Sequence, residues 1–209
     1  MQDSGFQYDV VIIGAGVSGC ATARELAKTN GSVCVLERED DVCCGTSKAN
    51  SAIAHAGYDA MTGSLMARLN VEGNALMHEL AKKLNFTVKN IGSLVVCTSE
   101  RDVDGLHELF ARGVANGVPD LQVIDRDTLR SMEPNISPSA VGALWAPTAG
   151  IVDPFGLNVA LAENAATNGV RFVFDAPVMA IERLPQGGYA LDTPRGRLTC
   201  RCVVNAAGV

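Results

Sequence analysis

The stretch VVIIGAGVSGCATAREL, residues 10–26, constrains the fold more than any other part of the chain. Tyr8 to Ile13 is a short run, apolar apart from Asp9 and rich in β-branched residues, the pattern of a strand buried on both faces of a parallel sheet. Gly14, Gly16 and Gly19 follow at GxGxxG spacing. The first permits a tight turn, the second lets backbone approach a pyrophosphate, and the third lets a helix pack closely on the strand. Small residues continue the helix, Asn30-Gly31 stops it, and Val33 to Leu36 forms a second strand that ends in Glu37. A glycine turn alone is a weak signal. Here it joins a strand to a helix, and an acidic residue closes the next strand, where its carboxylate can accept hydrogen bonds from an adenosine ribose. The helix N-terminus offers free N–H groups and a positive dipole end to phosphate. The pattern predicts a βαβ dinucleotide-binding unit. Glu37 disfavours a 2′-phosphate by charge repulsion, while Arg38 beside it keeps the NADP alternative open.

Composition narrows the function classes. The 209 residues are 47% hydrophobic, enough for one domain or two small ones sharing the chain. Seventeen Lys plus Arg against 23 Asp plus Glu give a net charge of −6 without any basic block, so neither nucleic acid nor an anionic membrane is favoured as partner. The longest mostly apolar run, Val10 to Ala23, is interrupted by glycines and is too short to span a bilayer, and the first residues lack a basic leader region. A cytoplasmic protein is expected, with peripheral membrane association left open. The seven cysteines contain no CxxC pair and no histidine at ligand spacing, so no metal site is expected and reduced thiols are the plain reading. Cys43-Cys44 lacks the electropositive setting that a reactive thiolate needs.

Downstream, Leu65, Leu69, Leu76, Leu80 and Leu84 form one stripe of an amphipathic helix over 64–84, with His78 on the opposite face as a solvated histidine. Residues 86–99 read as two β segments turning at Asn90 to Gly92, followed by a helix over 99–116, a short strand at LQVID and a short helix ending before Pro134. His107 lies at the edge of the apolar stripe of the 99–116 helix, a packing position. After a strand in 141–146, Asp153-Pro154 is an N-cap with proline at the first helical position. Then come the strand VRFVFD, a β-meander at roughly 177–184, 188–194 and 196–202, and a final apolar strand at CVVNAAGV. The expected fold is α/β: a Rossmann-like FAD/NAD(P)-binding domain with a β-meander, over 7–85 and 153–209, interrupted by part of a mixed α+β substrate or cap domain at 86–152.

The segments VIIGAGVSGCATARELA, VLERED, GTSKANSAIAHAGYDA, LNVEGN, GSLVVC, MEPN, APTAGIVDPFGL and VVNAAGV occur in this order. In that ordered set the chain resembles the FAD-dependent oxidoreductases of the D-amino-acid-oxidase-like superfamily, most closely the anaerobic-type glycerol-3-phosphate dehydrogenases. The resemblance implies FAD as cofactor. It places the diphosphate over Gly14, Gly16, Val17, Ser18 and Gly19, with the ribose on Glu37 and neighbouring contacts from Arg38. It lays the loop of Gly45, Thr46, Ser47, Asn50 and Ser51 beneath the diphosphate and ribityl chain, sets Val178 at the adenine edge, and returns the chain to the diphosphate at Ala206, Ala207 and Gly208. His55 is the catalytic candidate near the flavin, the alternative being a histidine that orders the loop backbone.

The reaction so implied removes hydride from a hydroxyl-bearing carbon of a small molecule, converting glycerol 3-phosphate to dihydroxyacetone phosphate, with a quinone or an iron–sulfur partner as electron acceptor. A 2-hydroxy acid such as 2-hydroxyglutarate is the alternative substrate, because AHAG also resembles those oxidases. Two other classes remain: a truncated, non-catalytic dinucleotide-binding module, and a nicotinamide-dependent dehydrogenase, which the inserted mixed region disfavours. Family members continue past the alanine-glycine stretch, so the sequence is expected to be the N-terminal part of a longer enzyme, with the phosphate-binding residues and most catalytic groups outside it.

Overall fold

The structure, a computed structural model, describes residues 6–208. In chain order the elements are β1 (Tyr8–Ile13), α1 (Val17–Leu26), β2 (Val33–Leu36), β3 (Ile53–Ala54), α2 (Leu65–Leu84), β4 (Val88–Lys89), β5 (Ser93–Cys97), α3 (Val103–Ala115), β6 (Gln122–Asp125), α4 (Arg126–Met132), β7 (Gly142–Ala146), β8 (Gly150–Val152), α5 (Pro154–Thr167), β9 (Arg171–Val173), β10 (Ala180–Arg183), β11 (Tyr189–Thr193) and β12 (Gly196–Asn205). They form two compact units. One holds the described residues through Ser51, Leu84–Phe86 and the chain from Asp153 on; the other holds Ala52–Lys83 and Thr87–Val152.

The first unit is built on a six-stranded sheet of order β10-β11-β12-β1-β2-β9. β1 lies between two parallel neighbours, β12 and β2, and β2 pairs in parallel with β9. A strand so enclosed has no wet face, which is why β1 from Val10 onward and β2 read as apolar runs; all four residues of β2 are buried. β12 has two roles. Its first half closes the meander against β11 (Leu191 opposite Leu198), and its second half runs beside β1 (Val11 opposite Val203). The third meander strand and the expected separate final strand are therefore one element, because no turn residue interrupts Arg197 to Asn205. α1 and α5 pack together, burying Gly19, Cys20 and Ala23 on one helix and Leu157, Asn158, Leu161, Ala162 and Ala165 on the other; the small residues of α1 let the helix backbones come close.

The second unit contains two antiparallel three-stranded sheets, β5-β7-β6 and β3-β8-β4. α3 covers the first sheet, and Leu106, Val118, Leu121 and Leu144 form its core. The two β segments of 86–99 thus belong to different sheets, with β4 on β8 and β5 on β7.

Two expectations are corrected in this unit. Residues 52–83 belong here and not with the nucleotide-binding part, because Ile53 pairs with Ile151 and Asn74 Nδ2 donates to the carbonyls of both His55 (3.1 Å) and Thr148 (3.0 Å). The leucine stripe of α2 is not the packed face: Leu65, Leu69 and Leu76 are exposed, and the only buried residue of the helix is Ala67. Ala67, half-buried Val71, Asn74 and His78 follow one another at helical spacing, and His78 Nε2 is buried with no hydrogen-bond partner, so this histidine is not a solvated one.

Candidate functional site

In an open parallel sheet, ligands bind beyond the carboxyl ends of the strands. β1, β2 and β12 end together here: Gly14 N–H donates to the Leu36 carbonyl (2.8 Å) and Ala206 N–H to the Ile13 carbonyl (2.9 Å). Between their ends lies a cleft of about 130 Å³, lined by Gly14, Gly16, Val17, Ser18, Glu37, Arg38, Glu39, Gly45, Thr46, Ser47, Ala206, Ala207 and Gly208. Residues far apart in sequence, from the turn before α1, the end of β2, the loop after it and the chain after β12, converge there.

Each glycine of the turn has its own reason. Gly14 has φ +99°, and a Cβ on it would strike the Ala206 carbonyl oxygen. A Cβ on Gly19 would strike the Gly14 carbonyl oxygen, so that position serves helix-to-turn packing and does not line the cleft. A Cβ on Gly16 would meet only Ser47 Oγ, at 3.0 Å, so the missing side chain at Gly16 leaves cleft space and relieves no internal clash. α1 has no capping side chain of its own at Gly16. Ser47 Oγ, from the facing loop, instead accepts from Val17 N–H (2.9 Å) and satisfies one of the free N–H groups of the first turn.

Glu37 is almost buried. Its Oε2 accepts from Ala15 N–H at 2.6 Å and its Oε1 from Glu39 N–H at 3.1 Å, so the carboxylate also braces the turn from which a ribose would be approached. Arg38 lines the same cleft with its Nε donating to Glu39 Oε1 (2.9 Å).

Of the residues singled out from sequence, Asn50, Ser51 and Val178 do not line the cleft. Asn50 Nδ2 donates to the carbonyls of Ser47 (2.8 Å) and Thr46 (3.3 Å), which shapes the loop from behind. Ser51 is exposed. Val178 is packed against the core of Val11, Leu36 and Leu191. His55 lies in the second unit, exposed, on a separate cavity of about 180 Å³ that it lines with Gly57, Tyr58, Asp59, Ala60, Met66 and Asn70.

Glu39 and Asn158 went unnoticed in the sequence, and Cys43 was read there only as an unreactive thiol. Glu39 lines the cleft; Cys43 N–H donates to the Ala15 carbonyl (3.2 Å); and Asn158, wholly buried on α5, donates to the same carbonyl (3.1 Å). Cys20 is also buried beside it, and desolvation pushes its thiol up to about 12, so it stays protonated and donates to the Ala15 carbonyl (3.3 Å). Burial likewise raises Cys43. All seven cysteines are free thiols.

Comparison with known proteins identifies the family. Residues 9–209 match the family model described as FAD dependent oxidoreductase (DAO). A glycerol 3-phosphate dehydrogenase of Caloramator mitchellensis is 44% identical over 202 residues, covering 97% of this chain and 42% of that protein. A mitochondrial L-2-hydroxyglutarate dehydrogenase of Caenorhabditis briggsae is 36% identical over 178 residues, covering 84% of this chain and 41% of that protein. Among solved structures, the FAD-bound L-alpha-glycerophosphate oxidase of Mycoplasma pneumoniae superposes with a TM-score of 0.92 at 30% identity, over 96% of this chain and 54% of that one. The chain thus spans about half the length of the proteins it resembles. With a family model running from β1 to the last residue, and the glycine turn, the end of β2 and the chain after β12 gathered on one cleft, the chain belongs to the FAD dependent oxidoreductases of the DAO family.

Proposed function

We propose that this chain carries the FAD diphosphate and ribose site of a flavin-dependent dehydrogenase acting on glycerol 3-phosphate. The carrying observation is the 44% identity to a glycerol 3-phosphate dehydrogenase across nearly the whole chain, against 36% over a shorter stretch for a 2-hydroxyglutarate dehydrogenase. The donor set of the cleft fits the cofactor. Gly16 and Ser18 supply backbone N–H groups at a helix N-terminus for diphosphate, while the Val17 N–H between them is held by Ser47 Oγ. Each Glu37 oxygen holds one backbone N–H and keeps a further lone pair for a ribose hydroxyl. Ser47 and Thr46 contribute hydroxyls from the facing loop.

Bound FAD would supply the hydride acceptor that amino-acid side chains lack. The chain's own contribution to the chemistry is His55. Its imidazole can take the proton of a substrate hydroxyl, while the Asn74 amide holds the His55 carbonyl and so fixes the backbone that carries the ring. The electrons would leave to a quinone or an iron–sulfur partner.

The visible spectrum of the purified protein tests this reading. Flavin absorption bands, and their anaerobic bleaching by glycerol 3-phosphate but not by 2-hydroxyglutarate, are expected. Bleaching by 2-hydroxyglutarate alone would transfer the assignment to the 2-hydroxy-acid enzymes. A colourless protein that takes up NADH and not FAD would overturn the flavin reading.

A further inference from the structure

Ala15, the residue between the first two glycines of the turn, is wholly buried and held at both ends. Its N–H is bonded to Glu37, and its carbonyl accepts from Asn158 Nδ2 (3.1 Å), Cys43 N–H (3.2 Å) and Cys20 Sγ–H (3.3 Å). A carbonyl oxygen has two lone pairs, and a thiol is a weak donor, so the two N–H donors dominate. One of them comes from α5, far from the turn in sequence.

Asn158 is costly where it stands. It is 0% exposed, its Oδ1 has no hydrogen-bond partner, and its Nδ2 reaches only the Ala15 carbonyl and, weakly, Cys20 Sγ (3.5 Å). A buried amide with half its capacity unmet stabilises less than an apolar side chain of similar size. Packing of α5 on α1 therefore does not account for an asparagine at this position. What the amide does hold is the rotation of the peptide between Ala15 and Gly16. No peptide bond among the described residues is cis, and in a trans peptide the C=O and the N–H point in opposite directions. The Ala15 carbonyl is turned into the buried contact of α1 with α5, and Gly16 at the other end lines the cleft.

We infer that Asn158 is a positioning residue for diphosphate binding: by gripping the Ala15 carbonyl from beneath the turn, it keeps the Gly16 N–H directed into the cleft beside that of Ser18, the Val17 N–H being held by Ser47 Oγ. This rests on the reading of the cleft as a diphosphate site. The Gly16 and Ser18 donors then act as a preorganised anion receptor, since the peptide does not have to rotate when an anion arrives.

The test compares ADP with adenosine, which share the base and ribose but differ in the diphosphate, by calorimetric titration of the 209-residue chain. For Asn158→Leu we expect a melting temperature equal to or above that of the unmodified protein, adenosine affinity unchanged, and ADP affinity lowered about fivefold. Asn158→Ala, which introduces no extra volume, should show the same split between the two ligands even if it melts earlier. Hydrogen exchange at the Gly16 amide should quicken in both variants without any ligand. Unaltered ADP affinity in both variants, or equal losses for ADP and adenosine, overturns the positioning role while leaving the site reading intact. Failure of the unmodified chain to bind ADP overturns the site reading, and the inference with it.

Discussion

At the scale of single residues, the three glycines of one motif stand under different physical constraints. Gly14 and Gly19 are confined by backbone carbonyl oxygens that cannot move without breaking the turn, whereas Gly16 faces only the terminal hydroxyl of Ser47. Gly14→Ala and Gly19→Ala should each destabilise the protein by at least about 2 kcal/mol. Gly16→Ala should melt within a few degrees of the unmodified protein and bind ADP much more weakly. Thermal melts and ADP titration of the three variants check this, and equal melting temperatures for all three would refute it. The buried thiols give a second residue-scale expectation. Cys20 is raised from 9.0 to about 12 and Cys34 to about 11, each mainly by burial. A raised thiol is neutral in the folded state while its unfolded counterpart ionises. Its contribution is therefore complete below pH 9 and is lost as pH climbs toward the folded values, by up to ~1.4 kcal/mol per pH unit for each thiol. Denaturant unfolding between pH 8 and 11 should show this alkaline decline, with Cys20→Ala flattening part of it; a decline unaffected by that substitution would assign it elsewhere.

At the scale of elements, periodicity reports which face of a helix is apolar but not what covers it. The leucines of α2 mark a correct helix over Leu65–Leu84, yet the face packed within its own unit carries Ala67, Val71, Asn74 and His78. A sequence reader sees volume and hydropathy, and here small and polar residues make the close contact because the segments after β3 and after β7 approach the helix. Leu69→Lys with Leu76→Glu should therefore shift the stability of this chain by less than about 0.5 kcal/mol each, whereas Ala67→Leu should cost about 1–3 kcal/mol by overpacking. Urea midpoints of the variants decide it, and the reverse order would restore the leucine stripe as the buried face. α5 was legible for a local reason: Asp153 caps it by accepting from Phe155 N–H (3.1 Å), and Pro154 follows in the first turn, so the signal is complete within three residues. β12 was divided in two because Cys200 ends one pairing partner and begins another without any mark in the sequence.

At the scale of the whole molecule, legibility follows the distance over which a feature is assembled. The glycine turn and Glu37 lie within one βαβ unit and could be placed from sequence alone. The loop at Gly45 to Ser47 and the Ala206 to Gly208 stretch were reached only through an ordered set of family motifs. Asn158 was reached by neither, since one asparagine on an apolar helix face looks like any other until the fold sets it beneath the turn. The candidate residues also divide between the two compact units. Every residue lining the dinucleotide cleft belongs to the first compact unit, and His55 to the second. If His55 takes the substrate proton, His55→Ala should leave ADP and FAD affinity unchanged while substrate-driven bleaching of the flavin slows by about 100-fold or more, and His55→Gln, which keeps hydrogen-bonding capacity but is not a base, should be equally slow. Stopped-flow absorbance under anaerobic conditions measures the bleaching, and equilibrium titration measures the binding. A histidine that only orders the loop backbone predicts something else: substitution would leave the rate of bleaching near that of the unmodified protein, because the Asn74 amide grips the His55 carbonyl, a group that every substitution preserves.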